Sequence, residues 1–198
     1  MVSIQIRVKY LELLLTFGYY SVVGSENASS ADNQQERLRI EGWLTGFTDG
    51  EGAFTVSILK NPTSSTGWQV FPEFIVTQGA KSKDSLYLFK EFFRCGNVYL
   101  NKRYDNHRED LYRYCVRSIK DLNEKIIPFF IANVLRTHKA IDFNIFCNVM
   151  DLIQKREHLS LYGLNKISHL IMEMNRKVKP KFLESSHTIR QASVRKKR

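Results

Sequence analysis

From Gln34 onward, the spacing of apolar and polar positions divides the chain into two rounds of helix and hairpin. Asn33 followed by Glu36 resembles a capping box and predicts a helix over 34–48. In AFTVSILK, Phe54, Val56 and Ile58 alternate with Thr55 and Ser57, the period of a half-buried strand, and WQVFPEFIVTQ pairs with it across a loop. Leu86, Phe89, Phe92 and Phe93 mark a helix over 82–93. A second hairpin follows, GNVYLNKRY with DLYRYCVRS, turning through DNHRE. Three helices are predicted after it, near 120–131, 137–155 and 160–176. Leu164, Ile167, Leu170, Ile171 and Met174 in the last share one helical face and read as core.

The flanks break this pattern. YLELLLTFGYYSVVG is apolar and follows Arg7 and Lys9, but Glu12 interrupts it and it is too short to span a bilayer. It reads as an appended helix or leader, with a targeting segment as the alternative; no membrane span is expected elsewhere. GSENASSADN is rich in small polar residues and reads as a linker. The expected organisation is a leader and linker over 1–33, a working domain over 34–176 and a basic, aperiodic tail over 177–198.

Composition turns attention to partners. The chain has 198 residues, 43% of them apolar, enough for a substantial core. Its net charge of +10 suits a polyanion, because lysine and arginine gain free energy by displacing counterions from phosphates. Cys95, Cys115 and Cys147 are far apart and odd in number, which argues against a disulfide framework or a zinc site.

The chemistry concentrates in GWLTGFTDGEGAF, residues 42–54. An interior glycine costs a helix about 1 kcal/mol relative to alanine, so Gly42 and Gly46 together cost roughly 2 kcal/mol. Gly42, Thr45, Gly46 and Asp49 lie on one helical face as a nearly bare strip, opposite Ile40, Trp43, Leu44 and Phe47. Such a strip lets a second backbone approach closely. That second element is either the domain's own sheet or, since the pattern occurs once in the chain, the same helix of another copy in a two-fold dimer. Glu51 then stands at a negative helix end facing its own copy, where cations relieve the repulsion. Magnesium suits hard oxygen donors of this kind. Asp49 reads as a residue that caps or braces the turn.

LTGFTDGEG, residues 44–52, resembles the motif that names the LAGLIDADG homing endonucleases: Leu44, Gly46, Asp49 and Gly52 match, and Glu51 is an acidic substitute. The resemblance continues through FIVTQ, LRTHKAIDF and EHLSLYGLNKISHLIMEMN, covering about 34–176. With one motif, the chain resembles the homodimeric kind. The resemblance implies an α+β fold, αββαββα, with an antiparallel saddle-shaped sheet gripping the DNA major groove and helices on its other face. It implies Glu51 as metal ligand with help from the Gly50 carbonyl, and Gln78 and Lys139 as further catalytic residues; His138 is the adjacent alternative to Lys139. Magnesium, or another divalent cation such as manganese, is the implied cofactor, and an organelle, mitochondrion or chloroplast, the implied location.

Strand alternation separately selects a DNA face. With Phe54, Val56, Phe74, Val76, Val98, Leu100, Tyr112, Tyr114 and Val116 inward, Thr55, Ser57, Gln69, Glu73, Asn97, Tyr99, Asn101, Arg103, Arg113 and Arg117 point outward together. Arginine, asparagine and glutamine are the side chains that read base edges. The expected function is a magnesium-dependent homodimeric endonuclease that cuts both strands of a long, roughly two-fold DNA target. The alternatives are an intron maturase, with RNA as partner, and a non-cleaving DNA-binding protein on the same fold.

Overall fold

In the computed structural model, residues 28–102, 109–174 and 182 are described, with side chains from residue 33. The leader, part of the second hairpin's turn, Arg103 and nearly all of the tail lie outside these residues. The elements run α1 (Ala28–Glu51), β1 (Gly52–Lys60), β2 (Trp68–Gly79), a 3-10 turn (Ala80–Ser82), α2 (Asp84–Phe93), β3 (Asn97–Asn101) and β4 (Leu111–Val116). A helical turn α3 (Ile119–Asp121), a π-helical stretch (Leu122–Ile126), α4 (Ile127–Ala132), α5 (Lys139–Gln154), a second 3-10 turn (Glu157–Leu159) and α6 (Leu161–Met172) follow. The four-stranded antiparallel sheet has the order β1-β2-β4-β3, so the two hairpins join through their second strands.

Two boundaries differ from the sequence pattern. α1 begins at Ala28, inside the stretch read as linker, and continues through Glu51. Once a helix is nucleated, each added residue costs little, and the exposed Asn33, Gln34 and Gln35 lose no packing by joining it. The helix predicted over 120–131 contains a π-helical segment just before Pro128, which has no N–H to offer the carbonyl four residues back.

Contacts divide the chain into two compact units. The first comprises 1–53 and 74–140. Its core is aromatic: Phe74 lies 5.3 Å from the Phe130 ring, 6.2 Å from Tyr114 and 6.4 Å from Phe89. Leu44 and Leu86 are fully buried there, each such side chain contributing about 1.5–3 kcal/mol. Tyr114, itself fully buried, satisfies its hydroxyl by donating to the Cys95 carbonyl at 3.0 Å.

The second unit comprises 54–73 and 141–198. Phe54 from β1 stacks at 4.9 Å on Phe143 and 5.5 Å from Phe146, both on α5. Leu164, Ile167 and Met174 are buried as their helical spacing predicts, while Leu170 and Ile171 are half-buried. Gly163 in this unit is under steric constraint: a Cβ there would fall 1.9 Å from the Glu157 carbonyl oxygen.

The strand faces follow the alternation with two corrections. Leu100, expected inward, is 44% exposed and Val98 half-buried, because β3 is the sheet edge and lacks a neighbour to cover it. Ile75 and Cys115, paired in register on the outward face, are buried. On the bulky side of α1, Ile40 and Trp43 are about 40% exposed, and the Trp43 and Phe47 rings lie 4.8 Å apart. No helix among the described residues is long and apolar enough to cross a membrane.

Candidate metal centre and nucleic-acid face

α1 passes into β1 without a loop, and this junction sets the site. Gly52 makes the junction possible, since a Cβ there would fall 2.6 Å from Thr48 Cγ2 and 2.9 Å from its carbonyl oxygen. Glu51 is the last residue of α1 rather than one beyond it, and is exposed. Its carboxylate has neither a hydrogen bond nor an ion pair among the described residues.

Asp49, two residues earlier, accepts three hydrogen bonds. It accepts from the Arg136 N–H at 2.7 Å, the Thr137 N–H at 3.2 Å and the Thr137 hydroxyl at 2.8 Å. Burial works to raise the Asp49 carboxyl, but the Arg136 N–H, both Thr137 donors and the Lys139 charge together hold it below its ordinary value.

The Lys139 ammonium donates to the carbonyls of Asp49 and Gly50, both at 2.8 Å. These are among the last carbonyls of α1, which have no intrahelical partner. His138, its neighbour, is exposed and makes no such contact. Lys139 is therefore the basic residue that meets the end of α1, next to Glu51. Gln78 is half-buried near the end of β2, opposite Tyr112 of β4. In an antiparallel hairpin the end of β2 and the start of β1 fall at the same end, so Gln78 and the Glu51–Gly52 junction share that end of the sheet.

The donor set suits a hard divalent cation: a free carboxylate and backbone carbonyls, all oxygen. Among the described residues no three His, Cys, Asp or Glu side chains gather into a site. At that point Glu51 is exposed, and the neighbouring Gly50 carbonyl already accepts one bond, from Lys139.

The glycines of the bare strip are open, whereas Asp49 at its end turns to residues 136–137 of its own chain. Gly42, Gly46 and Gly50 are exposed, and a Cβ at any of them would meet nothing within 4 Å. Close packing on the chain's own sheet does not account for these glycines. Thr45, between them, donates its hydroxyl to the Glu41 carbonyl at 2.7 Å.

Of the residues selected as a DNA face, Tyr99 and Arg113 lie opposite each other across the sheet, Asn97 lies opposite Cys115 and Arg117 follows the end of β4. Thr77, Arg113 and Tyr99 are in register, as are Gly79, Leu111 and Asn101. The Arg117 guanidinium lies 5.5 Å above the Tyr99 ring, and Asn97 accepts from the Lys90 ammonium at 3.2 Å. Arg113 is half-buried with its Nε covered and unbonded among the described residues. In the second unit, Thr55, Ser57 and Glu73 are half-buried and Gln69 is exposed, its amide oxygen accepting from Asn61 at 3.0 Å. Arg103 lies outside the described residues. Sequence reasoning missed Thr137; its signal was a hydroxyl residue at the first position of the helix predicted over 137–155, two positions before the observed start of α5.

The LAGLIDADG endonuclease family matches residues 44–150, from the glycine strip through most of α5. The chain belongs to this family. A probable intron-encoded endonuclease of Neurospora crassa is 32% identical over 140 residues, 70% of this chain but 25% of that protein. Among solved structures, the homing endonuclease I-TnaI aligns with TM-score 0.66 and 35% identity, covering 75% of this chain and 97% of that one. The LAGLIDADG homing endonuclease I-LtrWI, bound to its target DNA, aligns with TM-score 0.65 and 35% identity over 70% of this chain and 45% of that one. The chain therefore spans about a quarter of the length of the curated relative and less than half of the DNA-bound one.

Proposed function

We propose that this LAGLIDADG chain is a divalent-metal-dependent, site-specific DNA endonuclease that hydrolyses phosphodiester bonds in both strands of a long, roughly two-fold target. The observation that carries this reading is the contrast at the end of α1: Asp49 accepts from three donors while Glu51, two residues on, is exposed and, among the described residues, unpaired. Glu51 and the Gly50 carbonyl hold the cation. Magnesium or manganese, when bound, activates a water and offsets charge on the transferring phosphate. In the hydrolysis, the water oxygen bonds to phosphorus, the bond from phosphorus to one ester oxygen breaks, and a proton ends on that oxygen. Lys139 has three N–H groups and spends two on carbonyls, leaving one to stabilise the developing oxyanion. Gln78 orients water from the end of β2.

The open glycine strip, Gly42, Thr45 and Gly46, supports a homodimer in which two α1 helices meet and place their Glu51 carboxylates together; the near-complete coverage of I-TnaI accords with it. Asp49, on the same strip, directs its side chain to residues 136–137 of its own chain, so its share in that interface is its backbone. A second reading of the assembly is one half of a longer two-motif chain, favoured by the 45% coverage of I-LtrWI. The mass in solution separates them.

Thr55, Ser57, Gln69, Glu73, Asn97, Tyr99, Asn101, Arg103, Arg113 and Arg117 are the proposed DNA-contacting set, with phosphates drawn by the net charge of +10. The intron-encoded character of the Neurospora relative supports an organelle location.

The test is Glu51→Gln, which keeps shape and removes the charge that balances the cation. Cleavage of selected DNA in magnesium should fall by about 100- to 1,000-fold, while binding measured in calcium persists. Substantial cutting by the folded variant would remove Glu51 from the centre.

A further inference from the structure

We infer that Thr137 is a positioning residue for the cleavage centre, its hydroxyl joining the end of α1 to the start of α5 so that Lys139 is held beside Glu51; this rests on the proposed endonuclease reading.

Two helix ends with opposite deficits meet here. The last turn of α1 has carbonyls without intrahelical partners, and the segment entering α5 has N–H groups without them. Each end supplies what the other lacks. The Asp49 carboxylate takes the N–H groups of Arg136 and Thr137, and the Lys139 ammonium takes the carbonyls of Asp49 and Gly50. The Thr137 hydroxyl is the shared joint: it donates to Asp49 Oδ1 at 2.8 Å and accepts from the Lys139 N–H at 3.3 Å. Among the described residues, no other side-chain group touches both ends of the lysine's anchorage.

The arrangement does two things. A lysine on four methylenes carries about 2 kcal/mol of rotamer freedom, which bonds at both its backbone N–H and its ammonium restrain. Thr137 also fills the Asp49 carboxylate with a third donor, withholding it from a cation that Glu51 could otherwise share with it. The hydroxyl thus adds to the two backbone N–H groups that set Asp49 apart from Glu51.

The test compares Thr137→Val, which keeps the shape and removes the hydroxyl, with Thr137→Ser, which restores it. Single-turnover cleavage at saturating DNA, corrected for folded fraction, should drop about 10- to 100-fold in Thr137→Val, the scale expected of a small misplacement of reacting groups. Binding in calcium should stay within a few-fold, and Thr137→Ser should recover most of the rate. Independently of activity, the slowed hydrogen exchange of the Lys139 ammonium in nitrogen NMR should be present in wild type and Thr137→Ser and lost in Thr137→Val. Equal rates in Thr137→Val and wild type, or equal loss in Val and Ser variants, would overturn the inference. If the wild-type chain cuts no member of a randomised DNA library, the endonuclease reading falls instead, and the Lys139 exchange alone decides whether Thr137 fixes the lysine.

Discussion

Replacing both Gly42 and Gly46 by alanine should act in opposite directions on the single chain and on its assembly. Within the chain the substitutions are free of steric cost, since a Cβ at either site meets nothing within 4 Å. Each should gain the helix about 1 kcal/mol, or roughly 2 kcal/mol together, which for a chain of this size raises Tm by about 4–8 °C. At a two-fold interface, however, the pair adds four methyl groups between closely apposed backbones. Overpacking of this sort costs on the order of 2–4 kcal/mol, weakening dimerisation by roughly 30- to 1,000-fold. Urea unfolding at low concentration, where only monomers remain, should show the gain, and light scattering across a concentration series should show the loss. A variant as dimeric as wild type would refute the strip as the contact surface. A variant less stable as a monomer would show that the strip already packs on its own chain.

The remaining predictions test other parts of the fold. Gly163→Ala should destabilise by about 2–4 kcal/mol in urea, against the usual gain for glycine to alanine in a helix, because its Cβ would meet the Glu157 carbonyl and disturb the Ser160 cap bond to the Gly163 N–H; a neutral or stabilised variant contradicts the close contact. Arg113→Ala should relax preference at particular base pairs by about 1–3 kcal/mol, read from cleavage of a single-substitution target library; a uniform loss of affinity would make it a phosphate contact. Burial pushes the Cys147 thiol from 9.0 up to about 12, so the unfolded chain ionises first. Native stability should hold below pH 9 and fall as pH rises toward 12, and Cys147 should resist alkylation at pH 8 until the chain unfolds.

The fold was legible where one face of an element meets core and the other does not. Phe54, Val56 and Ile58 announce β1 because burial there alternates with exposure, and Leu86, Phe89 and Phe93 announce α2 by helical spacing. Legibility failed where neighbours, not period, decide burial. Leu100 has the inward parity of its strand but sits on an edge that nothing covers, while Ile75 and Cys115 have outward parity and are covered nonetheless. The start of α1 was missed for a different reason: Ser29, Asp32 and Asn33 look like punctuation, yet helix propagation is cheap once the following turns are fixed.

The candidate site divides along the same line. Asp49 and Glu51 were visible as paired acids beside a glycine strip, the first read as a brace of the turn and the second, through the resemblance, as metal ligand, but the partners that engage Asp49 were not. What separates them is residues 136–139, some ninety positions away, whose N–H groups, hydroxyl and ammonium converge on Asp49 and on the carbonyls of Asp49 and Gly50. Local periodicity carries no record of that contact. Its consequence is electrostatic: the acid with three donors serves as a brace, and the exposed one keeps its charge unspent. Among the described residues, Glu51 is the carboxylate left without a partner at this junction, and in the proposed dimer a second α1 would bring its counterpart. The bare glycine face and the free acid thus support the same proposal, because an approach close enough to need glycine is also one that brings two Glu51 carboxylates to a shared phosphodiester target.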